Sequence, residues 1–201
     1  MAEFPIRDVT DPRILRALAH PLRLRILEAV MFSGPLTATQ VAELVDESPA
    51  NCSWHLRQLA RYGFVEEAGG GTGRQRPWRF VAQGNRWDAG EAGSALAEAG
   101  DAAIEVLMEM EYQALRAWLR ARRAEPAHLQ ASYLTQSVGW CTPEEMAEIQ
   151  DEIQSIITRY MDRFTDPASR PPGSRPVRFI AWGIPALGHQ PISSNEEEAD
   201  A

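Results

Sequence analysis

Residues 48–63, SPANCSWHLRQLARYG, carry the marks of a helix at both ends. Ser48 suits the N-cap, where its hydroxyl accepts from an otherwise unpaired backbone N–H. Pro49 suits the first helical position, where its missing N–H costs nothing. Gly63 suits the left-handed position just past a helix C-terminus. Cys52, Leu56 and Leu59, spaced by four and three, form one apolar stripe. The other face carries Asn51, Ser53, Trp54, Arg57, Gln58 and Arg61. It has no carboxylate, in a chain whose formal net charge is -8. A helix buried on one side, with donors and guanidinium groups on the other, suits a DNA major groove. An ordinary amphipathic surface helix would show the same stripe, so the flanking segments decide between the two.

Upstream, Asp11-Pro12 opens a short helix with Ile14, Leu15 and Leu18 inward. His20-Pro21 breaks it, because the residue before a proline is pushed out of the helical region. Pro21 then leads a second helix over residues 22–32, with Leu22, Ile26, Leu27 and Val30 inward, stopped at Ser33-Gly34-Pro35. Thr37 and Gln40 make a capping box for a third helix, with Val41, Leu44 and Val45 inward. Asp46-Glu47 form a short turn into the 48–63 helix. Two short helices joined by a tight turn, the second bearing the donors, form a helix-turn-helix. Downstream, residues 64–68 and 78–82 read as strands, Trp78, Phe80 and Ala82 alternating with Arg79 and Val81. The Gly-rich connection between them carries Arg74 and Arg76. A basic hairpin tip of this kind can reach phosphates or a minor groove; a solvated loop is the plainer reading.

Residues 10–82 resemble the winged helix-turn-helix of ArsR-type bacterial transcriptional regulators. The resemblance is carried by LRALAHPLRLRILEAV, LTATQVAELV, SPANCSWHLRQLARYGFVEE and the hairpin ending WRFVA. It implies that Ala50, Asn51, Ser53 and Trp54 stand where that family contacts DNA, and that Cys52, Leu56 and Leu59 stand on its core positions. His55 falls where a histidine often precedes the core leucine. Trp54 departs from the pattern, which more often has a polar residue there.

The whole chain has 201 residues, 44% of them hydrophobic, enough for one large domain or two small ones. All 20 of its basic residues are Arg. Residues 1–86 hold 11 Arg against 9 Asp and Glu, whereas residues 87–201 hold 9 against 19. The first segment, at +2, can approach a polyanion, and the second, at -10, is repelled by one. Cys52 and Cys141 give neither a disulfide framework nor a paired metal motif. Cys52 reads as a small buried hydrophobe. With no apolar leader and no long apolar run, the expectation is a cytoplasmic protein that does not enter membranes.

Residues 90–124 read as one long helix with two apolar stripes. Ile104, Leu107, Met108, Leu115, Trp118 and Leu119 make one. Smaller side chains make the other, with Leu96, Ala99, Ala103, Val106, Met110 and Ala114 expected at a homodimer interface because they permit close helix approach. A single wide core face is the plainer alternative. Residues 129–140 read as a strand. Thr142 and Glu145 make a second capping box for a helix to Phe164. A Pro-rich link and a strand over 176–185 follow, and residues 193–201 read as a disordered acidic tail. This layout looks like an extension found in some such regulators. Trp118, Tyr133, Trp140, Tyr160, Phe179 and Trp182 suit either a small-molecule effector pocket or plain packing.

No catalytic motif stands out, and the GGGTG run lies inside a hairpin with no helix after it to bind phosphate. The four histidines, at 20, 55, 128 and 189, are scattered, and the third helix has no Cys, so no metal site and no cofactor are expected. The fold expected is mainly α with a small β-hairpin wing, an α+β winged helix-turn-helix followed by long helices and a short two-stranded sheet. Residues 1–86 would bind DNA, 87–192 dimerise and take any effector, and 193–201 form the tail. The function expected is a homodimeric, sequence-specific transcriptional regulator, a repressor on an imperfect palindrome of double-stranded DNA, and not an enzyme. The bases would be read by Asn51, Ser53, Trp54, Arg57 and Gln58. The alternative is a ligand- or partner-binding protein whose winged helix contacts protein.

Overall fold

The computed structural model describes residues 5–71, 75–87, 90–124 and 132–186. They fall into two compact units, the described residues of 1–136 with 160–176, and those of 137–159 with 177–201. In the first unit the order is β1 (Ile6–Asp8), α1 (Pro12–Leu18), α2 (Pro21–Ser33), α3 (Ala38–Val45), α4 (Pro49–Arg61), β2 (Val65–Glu67), β3 (Trp78–Phe80), β4 (Gly84–Arg86) and α5 (Ala95–Ala121).

The helices begin where their caps dictate. Asp11 accepts from the backbone of Arg13, and Thr37 with Gln40 closes the capping box of α3. The His20 ring, expected only to interrupt, itself N-caps α2 by accepting the Leu22 N–H at 3.2 Å. α2, α3 and α4 bury Ile26, Val30, Val41, Val45, Leu56 and Leu59 in one core, which Phe64 and Val65 close from the wing. Each such Leu or Ile contributes about 1.5–3 kcal/mol of burial. Leu44, expected inward, is exposed, and Ala42 fills the core beside Val41 and Val45 instead.

β2 and β3 form the antiparallel hairpin, in the register Val65↔Phe80, Glu66↔Arg79, Glu67↔Trp78. Leu36 and Trp78 exchange backbone hydrogen bonds of 2.8 and 2.9 Å, tying the α2–α3 connection to the wing. A second, unexpected sheet pairs β1 with β4 in parallel, in the register Ile6↔Gly84, Arg7↔Asn85, Asp8↔Arg86. It joins the chain entering the helix-turn-helix to the chain leaving it.

α5 starts later than position 90 because Gly90 and Gly93 take positive φ and Ser94 supplies the N-cap. It packs along α1, where Ala99 and Ala103 join Val9 and Leu15 in a second small core. Gly100 is buried there, and a Cβ on it would lie 3.0 Å from Trp87 Nε1. Ala99 and Ala103, expected to face a subunit partner, are therefore covered by their own chain. Of the larger stripe, Ile104, Leu115 and Leu119 are exposed in the isolated chain and Leu107, Met108 and Trp118 are half-buried; Tyr112, which belongs to neither stripe, is exposed as well. Residues on the two sides of position 86 thus pack together within one unit.

In the second unit Thr142 and Glu145 form the expected capping box, and α6 runs Pro143–Thr158 without burying a residue. It ends short of Phe164. Residues 162–165, in the first unit, form the separate α7 (Asp162–Thr165), followed by a 3-10 turn at Pro167–Ser169. The strands expected at 129–140 and 176–185 do not form: residues 132–140 and 176–185 are irregular, and residues 129–131 lie outside the described ones. Alternating apolar residues make a strand only where a neighbour completes the ladder of backbone hydrogen bonds, and no described segment does so here. The tail at 193–201 also lies outside the described residues.

Candidate nucleic-acid interface

The turn between α3 and α4 sets the direction of the reading helix. Asp46 ends α3 in the left-handed region at φ 49°, a conformation Asp tolerates better than most residues. Its N–H and that of Glu47 both bond the Ala42 carbonyl. Arg25 of α2 donates to the Val45 carbonyl, so a guanidinium holds the negative end of α3. Ser48 then accepts the Asn51 N–H at 3.2 Å, and α4 begins. At its far end Gly63 takes φ +75°, the left-handed turn expected from the sequence.

Cys52, Leu56 and Leu59 are fully buried, which turns the opposite face of α4 outward. Ala50, Trp54, Arg57 and Arg61 are exposed, and Asn51, Ser53 and Gln58 half-buried. Three of these are engaged in hydrogen bonds one turn away. The Asn51 amide donates to Glu47 Oε2 at 3.1 Å, and Arg57 donates to Ser53 Oγ at 3.1 Å. The helix face has no carboxylate of its own, but Glu47 of the turn borders it. The Glu47–Asn51 spacing of four, legible in the sequence, signals that pair. Trp54 is 50% exposed, with its ring edge-on to His55 at 4.7 Å between centroids.

Behind Trp54 lies a polar cluster, buried at His55 and half-buried at His20 and Arg23. His55 is 4% exposed, and its ring lies 4.7 Å from that of His20. His55 Nδ1 and Arg23 Nε are buried and make no hydrogen bond among the described residues. Burial pushes the His55 pKa below its ordinary value; His20 and Arg23 push the same way, and Glu47 opposes them. Burial, then Arg23, lowers His20 as well. Burial also raises the Cys52 thiol, with Glu47 adding to the effect, so this thiol is less reactive than a surface one.

On the wing, Arg76 pairs with Glu67 at 2.9 Å and Arg79 with Glu66 at 2.8 Å, all exposed. Arg79 was not among the residues expected to meet DNA, although its place on the outward side of β3 follows from strand alternation. Arg74 lies outside the described residues. Surface pairs of this kind are worth at most about 1 kcal/mol, so a phosphate can displace the carboxylate. Among the described residues no three His, Cys, Asp or Glu side chains cluster as a metal site requires. No described helix is long and apolar enough to cross a membrane.

Comparison with known proteins bears on this same region. No curated protein matches the chain. Residues 18–68, from the end of α1 through β2, match a family model described as a helix-turn-helix domain. The capped α3–turn–α4 geometry and that match agree: the chain carries a helix-turn-helix DNA-binding domain.

Proposed function

We propose that the protein is a homodimeric, sequence-specific transcriptional regulator of the ArsR type, acting as a repressor on an imperfect palindrome. The observation that carries this reading is α4, with Cys52, Leu56 and Leu59 buried and Asn51, Ser53, Trp54, Arg57 and Gln58 turned outward. Asn suits adenine and Arg suits guanine in the major groove, and Trp54 suits a thymine methyl or a sugar. Phosphate contacts from Arg61 and from the wing arginines Arg74 and Arg76 would set the register. To read bases, Asn51 exchanges Glu47 for a base edge and Arg57 exchanges Ser53. Both hydrogen bonds lie at the exposed surface, so each exchange costs little.

Dimerisation is assigned to α5. Of the positions expected at the interface, Val106, Met110 and Ala114 stay partly accessible, while Leu96, Ala99 and Ala103 lie on or beside the α1 contact. The exposed Ile104, Tyr112, Leu115 and Leu119 extend the available surface. The rival, a winged helix used for protein contacts, draws support from the overall acidity and from Trp54. Binding to genomic fragments at two salt concentrations separates them. Specific binding that weakens as salt rises supports the regulator, and its absence supports the rival.

A further inference from the structure

Arg7, on β1, reaches the place where the reading helix becomes the wing. One guanidinium nitrogen donates to the Tyr62 carbonyl at 2.7 Å, and the other two N–H groups fork onto Asn85 Oδ1 at 3.0 and 2.6 Å. The same group lies 5.0 Å from the centre of the Phe64 ring. Tyr62 is the C-cap of α4, where carbonyls lack helical partners and the helix dipole favours a cation. Asn85 is on β4, directly after the wing, and pairs with Arg7 in the β1–β4 register. Gly63 leaves room for the contact, since a Cβ there would lie 3.2 Å from the guanidinium. The next two carbonyls are held from the wing side: Gln83 donates to Gly63 and the Val81 N–H to Phe64. One planar fork thus ties together the end of α4, the start of the wing and the strand that leaves it.

We propose that Arg7 is a positioning residue for DNA binding: without being assigned a DNA contact itself, it fixes the angle between α4 and the wing, and so whether wing arginines reach phosphate while α4 lies in the groove. This rests on the DNA-binding reading above. Lys cannot replace it, because a single ammonium does not span a carbonyl and an amide oxygen in the fork geometry of a guanidinium.

The test is binding of the full chain to a labelled random-sequence duplex across a salt series, with thermal unfolding measured on each variant. Wild type, Arg7→Ala, Arg7→Lys, the wing variant Arg74→Ala/Arg76→Ala/Arg79→Ala and the combination of Arg7→Ala with the wing variant are compared. In the wing variant the salt slope should fall by about one unit for each phosphate that is no longer neutralised. Arg7→Ala and Arg7→Lys should both show a fall close to that of the wing variant, and the combination should fall no further than the wing variant alone. Asn85→Ala, which removes the other anchor of the fork, should shift the slope the same way and keeps the test independent of how well Arg7→Ala folds. An unchanged slope in the wing variant, in Arg7→Ala or in Asn85→Ala overturns the proposal. So does full retention by Arg7→Lys, which would mean that the charge acts directly, or additive effects in the combination. A wild type with no salt-sensitive binding fails differently, since it removes the DNA-binding reading itself.

Discussion

Asn51, Ser53 and Arg57 face outward from a helix whose other side is fixed by Leu56 and Leu59, so they can be changed with little effect on folding. Arg57→Ala should weaken binding, and Asn51→Ala or Ser53→Ala should relax base preference, by about 1–3 kcal/mol where a bidentate base pairing is removed. Competition against single-base variants of a bound site checks this; unchanged preference in all three would remove α4 as the reading helix. Glu47→Gln should act oppositely, raising affinity for all sequences by up to about 1 kcal/mol, because it removes a surface carboxylate beside the phosphates. His20 and His55 bear on stability. Both have folded-state pKa values below the free-histidine value of about 6.5. The neutral rings therefore belong to the folded state: their contribution is complete above about pH 6.5 and declines as pH falls through the lowered folded values. Thermal stability should drop on acidification below that point, and His20→Gln/His55→Gln should flatten the drop; parallel curves for the two proteins would refute the assignment. The outward residues were legible in the sequence from helical spacing alone. The His20–His55 contact was not, since it joins an N-cap to a core position 35 residues later and depends on how α2 crosses α4.

At the scale of elements, caps explain why most helix starts could be read from sequence. Ser48, Thr37, Thr142 and Asp11 each act within three residues of themselves, so their geometry is local. The β1–β4 pair had no local signal. Its strands are three residues long and lie 78 apart, and parallel partners so distant leave no turn to recognise. For the same reason nothing in the sequence marked Arg7. The two strands expected near the C-terminus show the converse: residues 129–140 alternate imperfectly and 176–185 are mostly apolar, but no described neighbour supplies a partner for 132–140 or 176–185. The α3–α4 turn yields a prediction at this scale. Asp46→Val should destabilise the fold by about 1–2 kcal/mol, because a β-branched side chain resists the left-handed region, while Asp46→Gly should be tolerated. Denaturant midpoints check both, and equal midpoints for the two variants would mean that the turn is unstrained. Leu56→Ala, which opens the core under α4, should cost about 2–5 kcal/mol by the same measurement.

For the whole molecule, residues 1–86 carry +2 and residues 87–201 carry -10, so a polyanion is approached more readily by the first segment than by the second. α5 leaves Ile104, Tyr112, Leu115 and Leu119 exposed in the isolated chain, apolar side chains available to a partner. The sequence revealed two stripes on α5 but not which one α1 would cover, because that depends on Gly100 admitting Trp87. Leu115→Asp should convert a dimer to a folded monomer, since a two-fold interface presents the buried charge twice, at several kcal/mol each. Light scattering decides this: a monomeric wild type at micromolar concentration, or a dimeric variant, would place the interface elsewhere. The central claim, that α4 reads DNA as one half of a symmetric pair, is met most directly by selecting bound sequences from a random duplex pool with the full chain, beside Arg57→Ala. The account predicts enrichment by the wild type of an imperfect palindrome whose half-sites lie about one helical turn apart, roughly 10 base pairs centre to centre, with that enrichment weakened in Arg57→Ala. A pool that stays random with the wild type, or the same palindrome enriched equally by Arg57→Ala, would contradict it.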